Sequence, residues 1–464
     1  MPSLKEKGSM QVNIRFLGAA GTVTGSKFYL DTPEVKIMVD CGMFQGIKAL
    51  RELNWHPFPI EVHSIDLVLL THGHLDHTGY LPRLVREGFK GEILGTAATL
   101  AITEIILRDS ARIHEEEAEK ANEEGYSRHK PALPFYTLEE AESAIELFRA
   151  VEENQWVSAS ENIRFRFLYN GHILGSTYIE LNINDRILVF SGDLGRYSDL
   201  LLDAPKEPKW ADYLFVESTY GNKLHPDEDV ERKLAELTRK VVLEGGNLLI
   251  PSFAVERLQS LIFILWRLYK HNRIPNIPVV VDSPMGQNVL EVFERFPDCH
   301  KLGMADYYAM CRHVKLVSSY RETWEVVDDP RPKIVIAGSG MVTGGRILTY
   351  LTQLISRPET EVLLVGYQAE GTRGRRLLEG EPEIKIFGKY YSVNAGIHHI
   401  QSLSAHADKS DLMKWLGNIK NIPEGVFLIH GEPEALQGFQ SGIRDTMGWH
   451  PKIPGLNEAV TIWV

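Results

Sequence analysis

The sequence predicts a mixed α/β fold in which a parallel α/β segment interrupts a strand-rich domain. Three features carry that prediction: short β-branched runs early in the chain, near-continuous apolar runs alternating with helical stretches after Gly221, and a return of the first style after Asn394. With 464 residues, 44% of them apolar, the chain can bury the cores of one large or two medium domains.

After Met10, the runs VNIRFLG, KFYLDT and VKIMVD are split by Gly, Thr and Pro and read as successive antiparallel strands. IDLVLL, residues 65–70, is a further strand that runs into THGHLDHTGY and then LPRLVREG, a helix with its glycine stop. From Leu100 to Phe148 the pattern is helical and acidic, and its run HEEEAEKANEEG reads as a solvated face. STYIELNI and RILVFSG flank Asn184-Asp185, a hairpin signal, so residues just before the first and just after the second emerge at one open end. GGNLLIPS, IPVVVDS, PKIVIAG and EVLLVG then read as buried parallel strands, with AVERLQSLIFILWRLYKHN among the helices between them. VFLIHG, residues 426–431, is expected to be a strand of the first domain. The expected division is therefore 1–221 with 396–464 for one domain and 222–395 for the other. MPSLKEKGS at the start is polar, reads as a leader or a terminal scar, and is set aside.

Composition excludes several classes. No apolar run approaches the roughly 18 residues of a membrane span, and no basic segment followed by an apolar one opens the chain. A cytoplasmic location without a membrane partner is the expectation. Fifty Lys plus Arg against 62 Asp plus Glu leave a net charge of −12, so a nucleic-acid partner must meet a local basic channel. Cys41, Cys299 and Cys311 show no CxxC spacing, which excludes a disulfide scaffold and a cysteine zinc knuckle.

Among 17 histidines, His72, His74 and His77 fall in one turn with Asp76, directly after a buried strand. A loop can aim alternate side chains at one point, and imidazole nitrogen with carboxylate oxygen suits Zn²⁺ or a similar divalent ion. His172 and Asp193 flank the predicted hairpin and should meet at its open end. His430 ends VFLIH and Asp40 ends VKIMVD, so polar residues at the ends of several strands converge on one sheet edge.

HGHLDH at 72–77, with GH at 172 and GD at 193, resembles the metallo-β-lactamase superfamily of dinuclear metallohydrolases. The resemblance implies an αββα sandwich with metals at one end of two packed sheets. It also implies that His72, His74 and His172 hold one metal and Asp76, His77 and His430 the other. Asp193 would bridge them and Asp40 would support the ligands. Diiron electron-transfer relatives carry Glu where this chain has His74, which favours a hydrolase. ESTYG (217–221), PSFAVER, AGSGMVTGGR, GYQAEGTRGRR, SAHAD (404–408) and HGE (430–432) resemble the β-CASP nucleases over nearly the whole chain. The interrupting Rossmann-like segment would be the β-CASP domain, and Glu217, His406 and His430 match the family's signature positions. His at the last of these marks RNA-processing members, related to RNase J and to the pre-mRNA 3′-end endonuclease.

Phosphodiester hydrolysis needs a nucleophile at neutral pH, charge stabilisation at the phosphoryl oxygens and a proton for the departing alkoxide. Two cations, Zn²⁺ expected and Mn²⁺ the alternative, meet the first two needs by lowering the pKa of water from 15.7 towards about 7. His406 is the candidate acid, held by Glu217, with Asp76 and Asp40 completing the catalytic set. A helix starting near Asp408 opposes its positive charge. GSGMVTGG follows a strand and precedes a helix, so its N–H groups could cradle phosphate. It fails the GxGxxG spacing, and no acidic residue closes EVLLVG, which argues against a nucleotide cofactor. By resemblance Ser339, Gly340 and Ser404 line the RNA path. Arg373, Arg375 and Arg376 offer backbone contacts or a solvated helix face, and both readings stand. His114, His398 and His399 match no motif and read as ordinary core or surface residues. The expectation is a metal-dependent ribonuclease selecting single-stranded RNA, with its active site in a cleft between the two domains. A small-molecule metallohydrolase of thioesterase or lactonase type and a non-catalytic RNA-binding scaffold are the alternatives. Self-association leaves no motif and stays open.

Overall fold

A computed structural model describes residues 10–125 and 129–464; the set-aside leader lies outside the described residues. The chain divides into two compact units. The first holds the described residues up to Asp199 with Asp203–Leu224 and His406–Val464, and the second holds Leu200–Leu202 with His225–Ala405.

Two sheets form the centre of the first unit. One has seven strands in the order Ala459–Trp463, Gln11–Phe16, Phe28–Asp31, Lys36–Val39, Leu67–Leu69, Glu92–Gly95 and Phe148–Ala150. The other has six, in the order Gly425–Ile429, Tyr213–Glu217, Arg186–Phe190, Thr177–Ile183, Ile163–Tyr169 and Val157–Ser158. Period-two alternation explains how both faces of each sheet are covered. Ile37, Val39 and Leu69 share one core with Phe167, Phe190, Phe215 and Phe427 of the opposite sheet. Their neighbours Met38, Val68 and Leu70 face a second core under the helices Leu81–Arg86, Ala97–Glu124 and Leu138–Ile145. Leu214, Val216 and Val189 face a third, against the helices Lys409–Leu416 and Pro433–Met447. The unit is thus an αββα sandwich. Between its sheets Phe190 and Phe215 stack at 4.2 Å and Phe215 and Phe427 at 5.0 Å.

The early strands pair antiparallel as expected, Gln11–Phe16 with Phe28–Asp31 and Phe28–Asp31 with Lys36–Val39. Thr177–Ile183 and Arg186–Phe190 form the predicted hairpin, with Asn184 and Asp185 at φ of 52° and 70°. Two successive left-handed residues match the right-handed twist of the flanking strands, and Asn and Asp tolerate that conformation best. The acidic stretch is a single helix to Glu124, opened by the Thr96 side chain and closed by left-handed Gly125.

In the second unit six strands run parallel in the order Val314–Val317, Val279–Asp282, Lys333–Ala337, Asn247–Pro251, Glu361–Val365 and Gly396–Ile400. Gly396–Ile400 differs from expectation: it pairs with Glu361–Val365, so this unit extends past 395 to Ala405. The reason is its place at the sheet edge. GIHHI is only partly buried at four of its five positions and lacks the continuous apolar run of the inner strands.

Lys27 is buried in the first unit, where its Nζ donates to the Gly42 carbonyl at 2.5 Å and lies 4.4 Å from the Phe44 ring centroid. Burial pushes its pKa down to about 8, opposed by Cys41. Between about pH 8 and the ordinary lysine value near 10.4 the unfolded chain therefore binds more protons, and this residue's contribution to stability rises with pH. Lys27→Met is expected to melt above the parent at pH 7, the gap closing as pH rises through that window; paired thermal melts from pH 7 to 10.5 check it.

Candidate metal centre

The ends of strands in the first unit deliver one cluster of side chains. Asp40 follows Lys36–Val39, His72 and His74 follow Leu67–Leu69, and Asp76 and His77 sit on the short helix Leu75–Thr78. From the other sheet come His172 after Ile163–Tyr169, Asp193 after Arg186–Phe190, Glu217 closing Tyr213–Glu217, and His430 after Gly425–Ile429. Asp40 and His430 adopt φ of 56° and 48°, local bends that end each strand at the site.

Two tetrads result. In the first, His74 Nδ1 lies 3.1 Å from His72 Nε2 and 3.2 Å from His172 Nε2, and both Nε2 atoms lie 3.6 Å from Asp193 Oδ2. A tetrahedral cation with bonds of about 2.1 Å places its ligand atoms about 3.4 Å apart, so these spacings fit one. In the second, His77 Nε2 lies 3.3 Å from His430 Nε2 and 3.3 Å from Asp193 Oδ1, while Asp76 Oδ2 lies 3.3 Å from His430 Nε2. Asp193 turns one oxygen to each tetrad. Each tetrad could hold a divalent cation.

Surrounding groups orient these ligands. Asp40 Oδ2 accepts from His77 Nδ1 at 2.7 Å, which orients the ring with Nε2 on the tetrad side. Asp193, Asp40 and Asp76 outweigh burial and raise the His77 pKa well above the imidazole range, so a cation bound there would displace the Nε2 proton. Asp40 is itself held by the Thr71 N–H at 2.8 Å and the Thr71 hydroxyl. His72 Nδ1 meets the same hydroxyl at 3.1 Å, and His430 Nδ1 meets the Thr219 hydroxyl at 3.1 Å. Asn170 donates to the carbonyls of Ser191 and Asp193, fixing the loop that carries the shared carboxylate. Sequence reasoning misses Thr71, Asn170 and Thr219 as supports: Thr71 and Thr219 lie inside the quoted runs THGHLDHTGY and ESTYG, and Asn170 lies two residues before His172.

Burial, reinforced by neighbouring histidines, holds the His72 and His172 pKa values well below the imidazole range, and burial lowers His74 to about 4. Burial opposes ionisation of Asp193, but His430 and His77 outweigh it and keep that carboxyl well below its usual range. Neutral imidazoles beside an ionised carboxylate are the protonation states that metal binding requires. Asp40→Asn is expected to weaken metal affinity about 10- to 100-fold with the fold intact, because His77 loses the acceptor that sets its tautomer. Competition with a chromogenic chelator measures that loss.

Beside the tetrads, Glu217 is wholly buried and its Oε1 accepts from the Leu194 N–H at 2.7 Å and from His406 Nδ1 at 3.2 Å. Its Oε2 accepts from the Thr219 N–H at 3.1 Å. Asp193, Glu217 and His406 also lie close enough to hold a cation, yet Glu217 is already committed to two backbone donors and an imidazole. Burial works against the charged form of His406, and the Glu217 carboxylate outweighs it, so its pKa is raised. The adjacent helix, Lys409–Leu416, starts at Asp408, whose side chain takes up the N–H groups of Ser410 and Asp411.

The candidates for substrate contact lie in the second unit. Ser339 Oγ accepts from the N–H groups of Thr343 and Gly344 at 3.0 and 3.1 Å, closing the glycine-rich loop on itself. Gly340 abuts Phe253, where a Cβ would come within 2.6 Å of the ring. Ser404 is buried. The Arg373 guanidinium donates to the carbonyls of Lys385, Val342 and Thr343, so it braces this loop. Arg375 and Arg376 are exposed and pair with Glu379 at 2.7 Å and Glu381 at 3.8 Å. His398 contacts buried Glu361, His399 Nε2 meets the Gly366 carbonyl, and His114 packs against Phe135 and Tyr136; none is a member of either tetrad.

Family models match in three segments: the metallo-β-lactamase superfamily at 21–245, the Beta-Casp domain at 258–377, and the Zn-dependent metallo-hydrolase RNA specificity domain at 390–454. Ribonuclease TTHA0252 of Thermus thermophilus is 34% identical over 90% of this chain and 93% of its own. Transcription termination factor FttA of Methanocaldococcus jannaschii is 29% identical over 98% of this chain and 72% of its own. A protein of unknown function from Enterococcus faecalis V583 shares the fold, with a TM-score of 0.56 at 14% identity over 97% of this chain and 100% of its own. Among the described residues no helix is long and apolar enough to cross a membrane. Ligand geometry, motif order and near full-length similarity converge: the chain belongs to the β-CASP ribonucleases of the metallo-β-lactamase superfamily.

Proposed function

We propose that this metal-dependent ribonuclease cuts single-stranded RNA with two divalent cations, Zn²⁺ in the first instance, held by the two tetrads that share Asp193. The observation that carries the reading is that sharing: ligand atoms 3.1 to 3.6 Å apart in the first tetrad, with the second built on the same carboxylate. His72, His74 and His172 would hold one cation, and Asp76, His77 and His430 the other. Bound there, the cations supply an activated water and Lewis-acid charge opposite the phosphoryl oxygens. His406, gripped at Nδ1 by Glu217, would deliver a proton through its other nitrogen to the departing alkoxide. Asp40 keeps His77 in its ligating tautomer. Residues 225–405 would form the β-CASP domain, with Ser339, Gly340 and Ser404 along the RNA path. The intact ligand set favours an enzyme over a scaffold, and the ESTYG and SAHAD residues, joined through Glu217 and His406, favour a nuclease over a thioesterase or lactonase.

Purified protein incubated with 5′- or 3′-labelled RNA, in Zn²⁺ or Mn²⁺, is expected to give metal-dependent cleavage of single strands and little of duplex. His74→Ala should lose both bound metal and cleavage. Equal cutting of duplex, or cleavage by His74→Ala at unchanged metal content, would overturn the reading.

A further inference from the structure

At the carboxyl edge of the second unit's parallel sheet, two exposed aromatic rings stand against guanidinium groups. Tyr320 follows the strand Val314–Val317 and opens the helix Tyr320–Asp328, with 58% of the residue exposed. The Arg346 guanidinium lies 3.7 Å from its ring centroid. That guanidinium is locked: it donates to the Thr323 hydroxyl at 2.5 Å and the Ser318 carbonyl at 3.3 Å, and lies 3.6 Å from Asp282. Asp282, wholly buried, accepts in turn from Thr323 at 2.6 Å and Tyr350 at 2.8 Å. Phe253 follows the strand Asn247–Pro251, is 37% exposed, and packs on Gly340 with the Arg257 guanidinium 5.1 Å from its centroid.

We infer that Tyr320 and Phe253 are base-stacking platforms for one strand of RNA, an inference that rests on the ribonuclease reading above. Three inter-strand steps, about 14 Å, separate the strands that precede them, so the two rings follow non-adjacent strands of the sheet. A mononucleotide is too small to occupy both, whereas an extended strand reaches them. The carboxyl edge of a parallel sheet is where such folds take their ligands. An aromatic face accepts any base because every base has a π face. Each ring is also held in advance, Tyr320 by a fixed cation and Phe253 by a glycine contact, so stacking orders little that is still free. Trp324, 45% exposed one turn along the Tyr320 helix, widens the apolar surface and makes a protein interface the rival occupant.

The test uses the full chain and a fluorescein-labelled uridine oligonucleotide, with anisotropy read in EDTA so that the strand stays whole. Tyr320→Ala and Phe253→Ala are each expected to weaken binding about tenfold, with Tyr320→Phe restoring it. With metal present the loss should appear mainly in KM. On a strand bearing abasic positions the alanine variants and the parent should bind alike. Leu243→Ala, 87% exposed at the end of the helix Val230–Glu244 and before the strand Asn247–Pro251, is the neutral control. Parent-like affinity in both alanine variants, an equal loss on the abasic strand, or a shift in sedimentation without a change in RNA affinity would each overturn the stacking role. A parent protein that binds the strand yet never cuts it with metal would instead overturn the nuclease reading and leave the platforms standing.

Discussion

Asp193→Asn is expected to lower RNA cleavage by at least about 10³-fold and to cut bound metal more deeply than any other single ligand change. The reason is its position between the tetrads: Oδ2 lies 3.6 Å from both His72 and His172, and Oδ1 lies 3.3 Å from His77. Asparagine keeps the shape but removes the negative charge and turns one of the two oxygens into an amide that cannot ligate. One tetrad loses its donor atom and the other keeps only a neutral carbonyl oxygen, so both hold a cation less tightly. Asp76→Asn, by contrast, touches only the second tetrad, where Asp76 Oδ2 meets His430. Elemental analysis of the two variants beside the parent, with far-UV circular dichroism to show retained structure, separates them. A lone cation bound as tightly in Asp193→Asn as in the parent would remove the shared carboxylate from the mechanism.

Much of this site was legible because strand ends obey simple geometry. His72, His74 and Asp76 alternate along one turn, and the hairpin's paired strands bring His172 and Asp193 to the same edge, with 3.6 Å between His172 Nε2 and Asp193 Oδ2. Asp40 and His430 follow strands whose successive residues alternate between two cores, Ile37 and Val39 opposite Met38, and Phe427 and Ile429 opposite Val426 and Leu428. What stayed hidden depends on contacts between distant segments. Nothing in a threonine announces that Thr71 will bridge Asp40 and His72, or that Thr219 will meet His430. Asn170 is equally silent until its amide is seen on two carbonyls of the Asp193 loop. Gly396–Ile400 escaped because an edge strand need not be apolar on both faces. Arg373 sits in a basic run, and nothing in that run announces that its guanidinium reaches the carbonyls of Lys385, Val342 and Thr343.

For His406→Ala the expected loss is about 10²- to 10⁴-fold on RNA, with bound metal retained. Ribose alkoxide is a poor leaving group and needs the proton; p-nitrophenolate does not, so hydrolysis of bis(p-nitrophenyl) phosphate should fall far less. The pH profile supplies the second reading. His406 is raised above the ordinary imidazole value because the Glu217 carboxylate, at 3.2 Å, outweighs the opposing effect of burial. A general acid works in its protonated form, so kcat/KM on RNA should decline as pH rises through that raised pKa. Glu217→Gln removes the charge that raises it and leaves burial unopposed by its nearest partner, moving the declining limb to lower pH. The p-nitrophenyl substrate should show no such limb in either protein. Wyman linkage gives the matching stability effect: the folded state holds the proton to higher pH than the unfolded one, so the Glu217–His406 pair stabilises below the unfolded histidine pKa of about 6.5 and loses that contribution as pH rises through the folded value. If the limb stays in place when Glu217 is neutralised, the proton comes from another group and His406 serves only to shape the cavity.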